Sequence, residues 1–326
     1  MKVLESSHKG LFWLAGSFLI LGLLMVTCTA CAPRRPSVSS VSSPFPANIG
    51  SNALSQCERF LALGPRDSFT PGAEKAANWL ADQLRVNGIE PDVRLFHELP
   101  RDGRMRPVRN VLGRLPGKTD CHVLLLSHYD TKSGIADDFV GANDSGSSTG
   151  LLLALAAFYK TVQPPCSITF AFLDGEECVS HYGEDDGLHG SRHLAKTLGK
   201  SGERVDAVIL LDMIGDKNLS LTIPRNGSSR LQKILLDSAS ALGVREHVRL
   251  VPYDMLDDHV PFMDAGFEAI DLIDFEFGAI PGLNNYWHTP EDTFDKLSAE
   301  SLQTVGAIVH EMLRRIAVED ASSTAN

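Results

Sequence analysis

Short apolar runs alternate along this chain with longer segments of helical periodicity. The strand-like runs are HVLLLSH (122–128), SITFAFLD (167–174), AVILLD (207–212) and EAIDLID (268–274). Because these runs are almost continuously apolar, we expect central strands that are covered on both faces. The helical segments are 71–88, 147–161, 228–243 and 299–318. The alternation of strands and helices predicts an α/β fold with helices on both faces of the sheet.

The same pattern continues without an internal repeat or a second linker, which predicts one catalytic domain over 55–320. Residues 33–54 are rich in Pro, Ser and Ala and are typical of a flexible tether. The last six residues, 321–326, are predicted to be a disordered tail.

The first 32 residues have the pattern of an export signal, with early lysines, an apolar stretch over 11–26 and small residues after it. Cys31 has the position of the lipidated cysteine of a bacterial lipoprotein, although Cys28 stands where leucine is usual. The alternative is an uncleaved membrane anchor. Both alternatives predict an exported, membrane-anchored protein on the periplasmic or cell-surface face.

Residues of metal-ligand type end the strand-like runs or open the turns between elements. They are His128, Asp144, Glu177, Asp212 and His288. Two imidazoles and three carboxylates form the mixed nitrogen and oxygen set that suits catalytic zinc. Glu176 lies directly before Glu177, where it can act on a proton instead of the metal. Any one of these motifs alone is weak evidence, but five in order predict a metal site.

Beyond the N-terminal signal the chain has four cysteines, at 57, 121, 166 and 178, and their spacing matches no zinc ribbon or CxxC motif. Cys121 and Cys166 each lie just before a strand-like run, and these two strands are plausible parallel neighbours. Export permits oxidation, so we predict a disulfide between them, with two buried free thiols as the alternative. Cys178 is predicted to be a small buried residue.

Composition limits the possible partners. Hydrophobic residues make up 43% of the chain, which is ample for a core, and 41 acidic against 30 basic residues give a net charge of −11. Because no basic patch stands out, we expect no nucleic-acid partner. We expect the protein to be a monomer.

Several motifs together resemble those of a known superfamily. They are HYDTK (128–132), FVGANDS (139–145), DGEE (174–177), GLHGSRHLA (187–195), DDHVPF (257–262) and WHTPEDT (287–293). Over roughly residues 55–317 the chain resembles the zinc aminopeptidases and, among them, the animal-type (type II) glutaminyl cyclases. The resemblance implies a central mixed, mostly parallel twisted sheet with helices on both faces.

The cyclase branch is favoured by Trp287, where the aminopeptidases usually carry tyrosine, and by Asp257, where they usually carry serine. The stretch GSRHLA (190–195) also has the cyclase form. NDSGSSTG (143–150) is closer to the aminopeptidases, and Tyr182 replaces a cyclase tryptophan. The disulfide of animal cyclases is absent, since Ser127 and Thr149 stand at its positions.

The resemblance implies zinc-dependent cyclisation of N-terminal glutamine in peptides or proteins to pyroglutamate, with release of ammonia. One zinc per chain is implied, with Asp144, Glu177 and His288 as ligands, polarising the γ-carbonyl of glutamine. The implied catalytic carboxylates are Glu176, Asp212 and Asp257. Trp287 and Tyr182 are the implied substrate-binding residues, and His128 and Asp130 are implied to support the ligands or to serve as alternative ligands.

The leading alternative is an exported two-zinc aminopeptidase. In that case His128, Asp144 and Asp212 hold one metal, and Asp144 bridges to a second metal held by Glu177 and His288. Glu176 then activates a metal-bound water. A non-enzymatic binding module with a degenerate site is a third hypothesis, which the intact acid beside the ligands disfavours.

Overall fold

A computed structural model of the protein describes residues 45–99 and 103–323. The strands are β1 (Pro91–Glu98), β2 (Arg106–Leu115), β3 (His122–His128), β4 (Ser167–Leu173), β5 (Ala207–Asp212), β6 (Leu221–Ile223), β7 (Val248–Leu250) and β8 (Ala269–Ile273). The α-helices are α1 (Ile49–Leu61), α2 (Pro71–Val86), α3 (Ser148–Thr161), α4 (His189–Ser201), α5 (Ser229–Ala241), α6 (His259–Asp264) and α7 (Ala299–Ser323).

Six strands form one mixed sheet in the order β1-β2-β4-β3-β5-β8, and β6 pairs with β7 in a small separate sheet. The four strands β4, β3, β5 and β8 run parallel, whereas β1 and β2 add an antiparallel edge. Parallel strands bring their carboxyl ends to one edge, and His128 lies opposite Leu173 in this register. The predicted α/β class and mostly parallel sheet are confirmed.

Helices cover both faces of the central strands, which explains why those strands are apolar at every position. On β3, Val123 and Leu125 belong to the core that packs under α1, α2, α3, α5 and α7. Leu124 and Leu126 point to the other face and pack with residues of α4 and α6. Side chains of a strand alternate between faces, so a strand buried on both sides needs an unbroken apolar run.

The predicted strands and helices are observed with shifts of a few residues, but other elements were not predicted. Among them are α1, α4, the antiparallel pair β1 and β2, and the short strands β6 and β7. Strand β1 is an edge strand on which only Phe96 is buried, and β2 contains three arginines. Neither strand has the unbroken apolar run of a central strand, so the criterion that identified the central strands cannot find them.

Two predicted boundaries are wrong within the described residues. The tether predicted over 33–54 overlaps α1, because Ile49 and Ala53 are buried against the core. The tail predicted over 321–326 is helical as far as Ser323, where α7 ends. The export signal, the tether up to residue 44 and residues 324–326 lie outside the described residues.

A disulfide joins Cys121 to Cys166, with their Cα atoms 5.0 Å apart. The two cysteines precede β3 and β4, which are parallel neighbours as predicted. The predicted disulfide is therefore confirmed, and Cys57 and Cys178 are buried free thiols. Among the helices of the described residues, none combines the length and the apolar character needed to cross a membrane.

Candidate active site

Three site residues lie at or just beyond the carboxyl ends of neighbouring parallel strands. His128 ends β3, Asp212 ends β5, and Glu176 follows β4 by three residues. Because these strand ends share one edge of the sheet, residues 84 positions apart in sequence come together. Functional sites of open α/β sheets gather at this edge.

Asp144 comes to the same edge on a tight turn over Ala142–Ser147, directly before α3. Gly141 opens the turn in the left-handed region with φ 50°. A β-carbon at Gly141 would lie 1.9 Å from the backbone oxygen of Asp144, so the turn excludes every other residue there.

His288 approaches from the loop before α7 and also has a left-handed backbone, with φ 53°. This conformation is rare for a residue with a side chain and typically costs about 1–2 kcal/mol. The Trp287 ring stacks on the His288 ring with centroids 3.9 Å apart, and Phe275 packs edge-on against Trp287 at 5.0 Å. Aromatic packing therefore fixes the imidazole in place.

The ligand-type atoms form two triads that share Asp144. One is Asp144, Glu177 and His288, and the other is His128, Asp144 and Asp212, with the atoms of each within 4.8 Å of one another. His288 Nε2 lies 2.9 Å from Glu177 Oε1 and 3.4 Å from Asp144 Oδ2. The second triad is closed by His128 Nε2, which lies 3.0 Å from Asp144 Oδ1 and 3.5 Å from Asp212 Oδ1.

This donor set fits zinc. Buried polar atoms normally find hydrogen bonds, yet both ring nitrogens of His128 and Oδ1 of Asp212 are buried without a hydrogen bond among the described residues. Burial lowers the pKa of His288, but the carboxylates of Asp144 and Glu177 outweigh it and raise that pKa to about 9. A cation held between these groups would compensate their charge.

Glu176 stands apart from both triads. Its two carboxylate oxygens accept hydrogen bonds from the Tyr182 hydroxyl at 3.1 and 3.2 Å. Burial and the adjacent Glu177 raise the pKa of Glu176 well above its usual value. A buried carboxyl with a raised pKa is suited to carry a proton near neutral pH.

The two other predicted catalytic acids, Asp212 and Asp257, lie in the same pocket. Burial raises the pKa of Asp257 well above its usual value, and Asp271, Asp212 and Glu176 add to the effect. Within the described residues the hydrogen bonds do not join Asp212 to Glu176 or Asp257; Asp212 faces His128 instead. Asp212 is therefore a member of the second triad.

Asp130 lies behind the site and is not a member of either triad. Its Oδ1 and Oδ2 accept the backbone N–H groups of Glu176 and Glu177 at 3.2 and 3.1 Å. Ser68 donates to the same carboxylate at 2.6 Å, and His128 Nδ1 lies 3.4 Å from it. Asp130 therefore orients the segment that carries the two glutamates.

A sequence model named Peptidase family M28 matches residues 110–313, well over half of the chain. The chain belongs to peptidase family M28. All the site residues described above lie within the matched range.

The chain is similar to several glutaminyl-peptide cyclotransferases. The chain is 27% identical over 275 residues to a Drosophila melanogaster glutaminyl-peptide cyclotransferase, covering 76% of each protein. It is 30% identical over 229 residues to a Bos taurus glutaminyl-peptide cyclotransferase-like protein, covering 61% of this chain but only 58% of that relative. A crystal structure of an Acidobacteriales bacterium glutaminyl cyclase superposes with a TM-score of 0.79 at 33% identity, over 85% of this chain and 98% of that one. The predicted resemblance to glutaminyl cyclases is confirmed.

Two residues next to the site of this M28 member, one half-buried and one buried, were given no role by the sequence analysis. Lys132, inside the quoted HYDTK motif, places its Nζ 3.5 Å from Glu177 Oε2 and 3.0 Å from Cys178 Sγ. Asp292, inside the quoted WHTPEDT motif, accepts backbone N–H groups of the Asp144 turn. Both stood in the recognised motifs, but spacing alone gives no sign of what a side chain contacts.

Proposed function

We propose that this protein is a zinc-dependent glutaminyl-peptide cyclotransferase that converts N-terminal glutamine of peptides or proteins to pyroglutamate and releases ammonia. The observation that carries the proposal is the buried carboxyl of Glu176 beside the complete triad of Asp144, Glu177 and His288. The match to cyclotransferases and cyclase structures supports the same chemistry.

The pocket is lined by two kinds of side chain that suit a glutamine residue with a free amine. Its carboxylates, including Glu176 and Asp257, can hold the α-amine. Its apolar side chains, among them Met255, Phe275 and Trp287, can pack against the methylene groups of the side chain. Such a pocket folds the side chain back on its own amine, which makes the attack intramolecular.

Zinc on Asp144, Glu177 and His288 would supply Lewis-acid polarisation of the γ-carbonyl. The other steps belong to the protein. Glu176 accepts a proton from the α-amine as its nitrogen bonds to the carbonyl carbon of the side-chain amide, and returns that proton to the amide nitrogen, whose bond to the same carbon breaks to release ammonia. Asp257, whose carboxyl also favours the protonated state, keeps the charge of the pocket low enough for Glu176 to ionise.

One observation favours a second candidate, a two-zinc aminopeptidase. His128 lies beside Oδ1 of Asp144 and beside Asp212, whereas His288 lies beside Oδ2 of Asp144, so the side chains for a second metal are in place. In that mechanism Glu176 would act on water instead of on the substrate amine. We favour the cyclase because Trp287 and Asp257 separate this chain from the aminopeptidase pattern.

The two candidates are separated by assaying purified protein on a glutaminyl-peptide anilide and a leucyl-peptide anilide side by side. A cyclase releases ammonia and forms pyroglutamate from the first substrate and leaves the second intact. Cleavage of the leucyl substrate without pyroglutamate from the glutaminyl one would reject the proposed function.

We also propose that the enzyme is exported and anchored to the membrane through Cys31, and that it works as a monomer. The signal-like N-terminus supports export, and the Cys121–Cys166 disulfide is compatible with an oxidising compartment. Replacement of Cys31 by alanine should move the protein from the membrane fraction to the soluble exported fraction. Unchanged fractionation would favour the uncleaved anchor. The proposed monomer is tested separately, by sedimentation velocity.

A further inference from the structure

One buried carboxylate connects the two loops that carry Asp144 and His288. Asp292 Oδ1 accepts the backbone N–H of Asn143 at 2.7 Å, and its Oδ2 accepts the N–H of Asp144 at 3.1 Å. The side chain lies four residues after His288 and is 1% exposed. The Asp144 turn and the His288 loop are therefore joined by two hydrogen bonds to one carboxylate.

The Asp144 turn is also hydrogen-bonded to the segment that follows β5. Asn143 Nδ2 donates to the backbone oxygen of Met213 at 3.1 Å, and Asn143 Oδ1 accepts the N–H of Gly215 at 2.8 Å. Residues 143 and 144 thus contact the segments that follow β5 and His288. The direction of the Asp144 side chain is set by these contacts together with Gly141.

The hydrogen bonds to Asp292 are charge-assisted, because a carboxylate accepts both of them. Such hydrogen bonds are stronger than those between neutral groups, and this site is closed to water. If one acceptor is lost, a buried N–H is left without a partner, and the turn must move to find another. A carboxylate ligand that shifts by a fraction of an ångström loses metal affinity. Groups that orient metal ligands typically matter by 10- to 100-fold in affinity.

We propose that Asp292 is a positioning residue of the zinc site, which fixes the Asp144 carboxylate relative to the His288 imidazole. The inference rests on the zinc site of the proposed function, not on the identity of the reaction. It assigns a role to a residue that touches neither the metal nor the substrate.

The test compares Asp292→Asn with a matched control, Asp274→Asn. Asp274 is also fully buried and also accepts two backbone N–H groups, from Ser220 at 2.8 Å and Glu276 at 3.0 Å. In each variant the amide can serve only one of the two donors. Zinc dissociation constants are measured by competition with a chromophoric chelator, and thermal midpoints are measured on the zinc-free proteins.

We expect both variants to lose stability without metal, but only Asp292→Asn to bind zinc about 10- to 100-fold more weakly. Added zinc should then restore kcat of Asp292→Asn on a glutaminyl peptide, with little change in KM. If Asp292→Asn does not fold, Asp292→Ser, whose hydroxyl can accept one N–H, is measured in the same way.

Zinc affinity within about twofold of wild type, or the same loss in both variants, would overturn the inference. Wild-type protein that binds zinc but forms no pyroglutamate would reject the proposed function, and the zinc affinities of the two variants would still decide the role of Asp292.

Discussion

Neighbouring residues of this site have different environments because the backbone turns sharply between β4 and α4. Gly175 adopts φ 74° directly before the two glutamates. Glu177 Oε1 then lies 2.9 Å from His288 Nε2, whereas Glu176 faces the Tyr182 hydroxyl. In the proposed mechanism, Glu177 binds the metal and Glu176 carries a proton.

Glu176→Gln should abolish turnover while zinc stays bound, because the amide keeps the shape but cannot carry the proton. A lost general acid–base group typically lowers kcat by about 100- to 10,000-fold. Glu177→Gln should instead weaken zinc binding, since it removes a proposed ligand. Metal analysis and kcat of both variants check this, and equal loss of zinc in the two would contradict the division of roles.

Gly141→Ala should disrupt the Asp144 turn, because the added β-carbon would lie 1.9 Å from a backbone oxygen. Gly134→Ala is the matched control, since Gly134 is also left-handed, with φ 82°, but has open space around it. The control should cost about 1–2 kcal/mol of stability from backbone strain alone. We expect Gly141→Ala to lose clearly more stability, together with zinc affinity. Equal thermal midpoints of the two variants would show that the turn tolerates a side chain.

At the scale of elements, the long helix α7 closes one face of the sheet and packs against α1 and α5 through its buried side. His310 on α7 meets α3, where its Nδ1 lies 2.8 Å from the Tyr159 hydroxyl. Burial, with a smaller effect of Arg314, lowers the pKa of His310 to about 4. The neutral imidazole is therefore part of the packed interface.

The part of the stability that depends on neutral His310 should be lost as the pH drops from about 6.5 toward 4, because over this range the unfolded chain binds a proton at His310 and the folded chain does not. His310→Gln should remove this part of the acid sensitivity, which is on the order of 1–2 kcal/mol. Urea unfolding of both proteins at pH 7 and at pH 4.5 measures it. An unchanged difference between the two pH values would exclude His310 as the cause.

At the scale of the whole molecule, one end of the central strands carries the disulfide and the other end carries the candidate site. The amino ends of β3 and β4 are joined by the Cys121–Cys166 bridge, and the candidate site lies at their carboxyl ends, where His128 ends β3 and Glu176 and Glu177 follow β4. A change at the bridge should therefore affect stability without altering the chemistry of the site.

The Cys121→Ser/Cys166→Ser double variant should lose about 2–5 kcal/mol of stability, since the bridge closes a long loop in the unfolded chain. At a temperature where the variant is folded, kcat should stay near that of wild type. Thermal midpoints with and without reductant check the assignment. A reductant should lower the midpoint of wild type only, and an equal effect on the variant would point to another cause.

Fully active protein should carry one zinc per chain, although the side chains of a second site are present. Cyclisation needs no metal-bound water, and a two-metal site would favour hydrolysis. Metal analysis of active wild type and of His128→Gln should give one zinc in each. Two tightly held zincs, with activity that follows the second, would support the aminopeptidase.

The sequence by itself determined the central strands, because a strand buried on both faces requires an unbroken apolar run, and it placed His128 and Asp212 at the carboxyl ends of two of them. Motif similarity further identified the superfamily and the cyclase branch. Strands β1 and β2 could not be predicted, since an exposed antiparallel edge needs no such run.

Only the tertiary structure decided which side chains meet. The contact of Asp212 with His128 instead of Glu176, and the bridge from Asp292 to the Asp144 turn, depend on residues that are 84 and 148 positions apart. Such contacts follow from the directions in which loops leave the sheet. Those directions are set by residues with left-handed backbone conformations, such as Gly141 and His288. The pattern of apolar and polar residues does not predict these conformations.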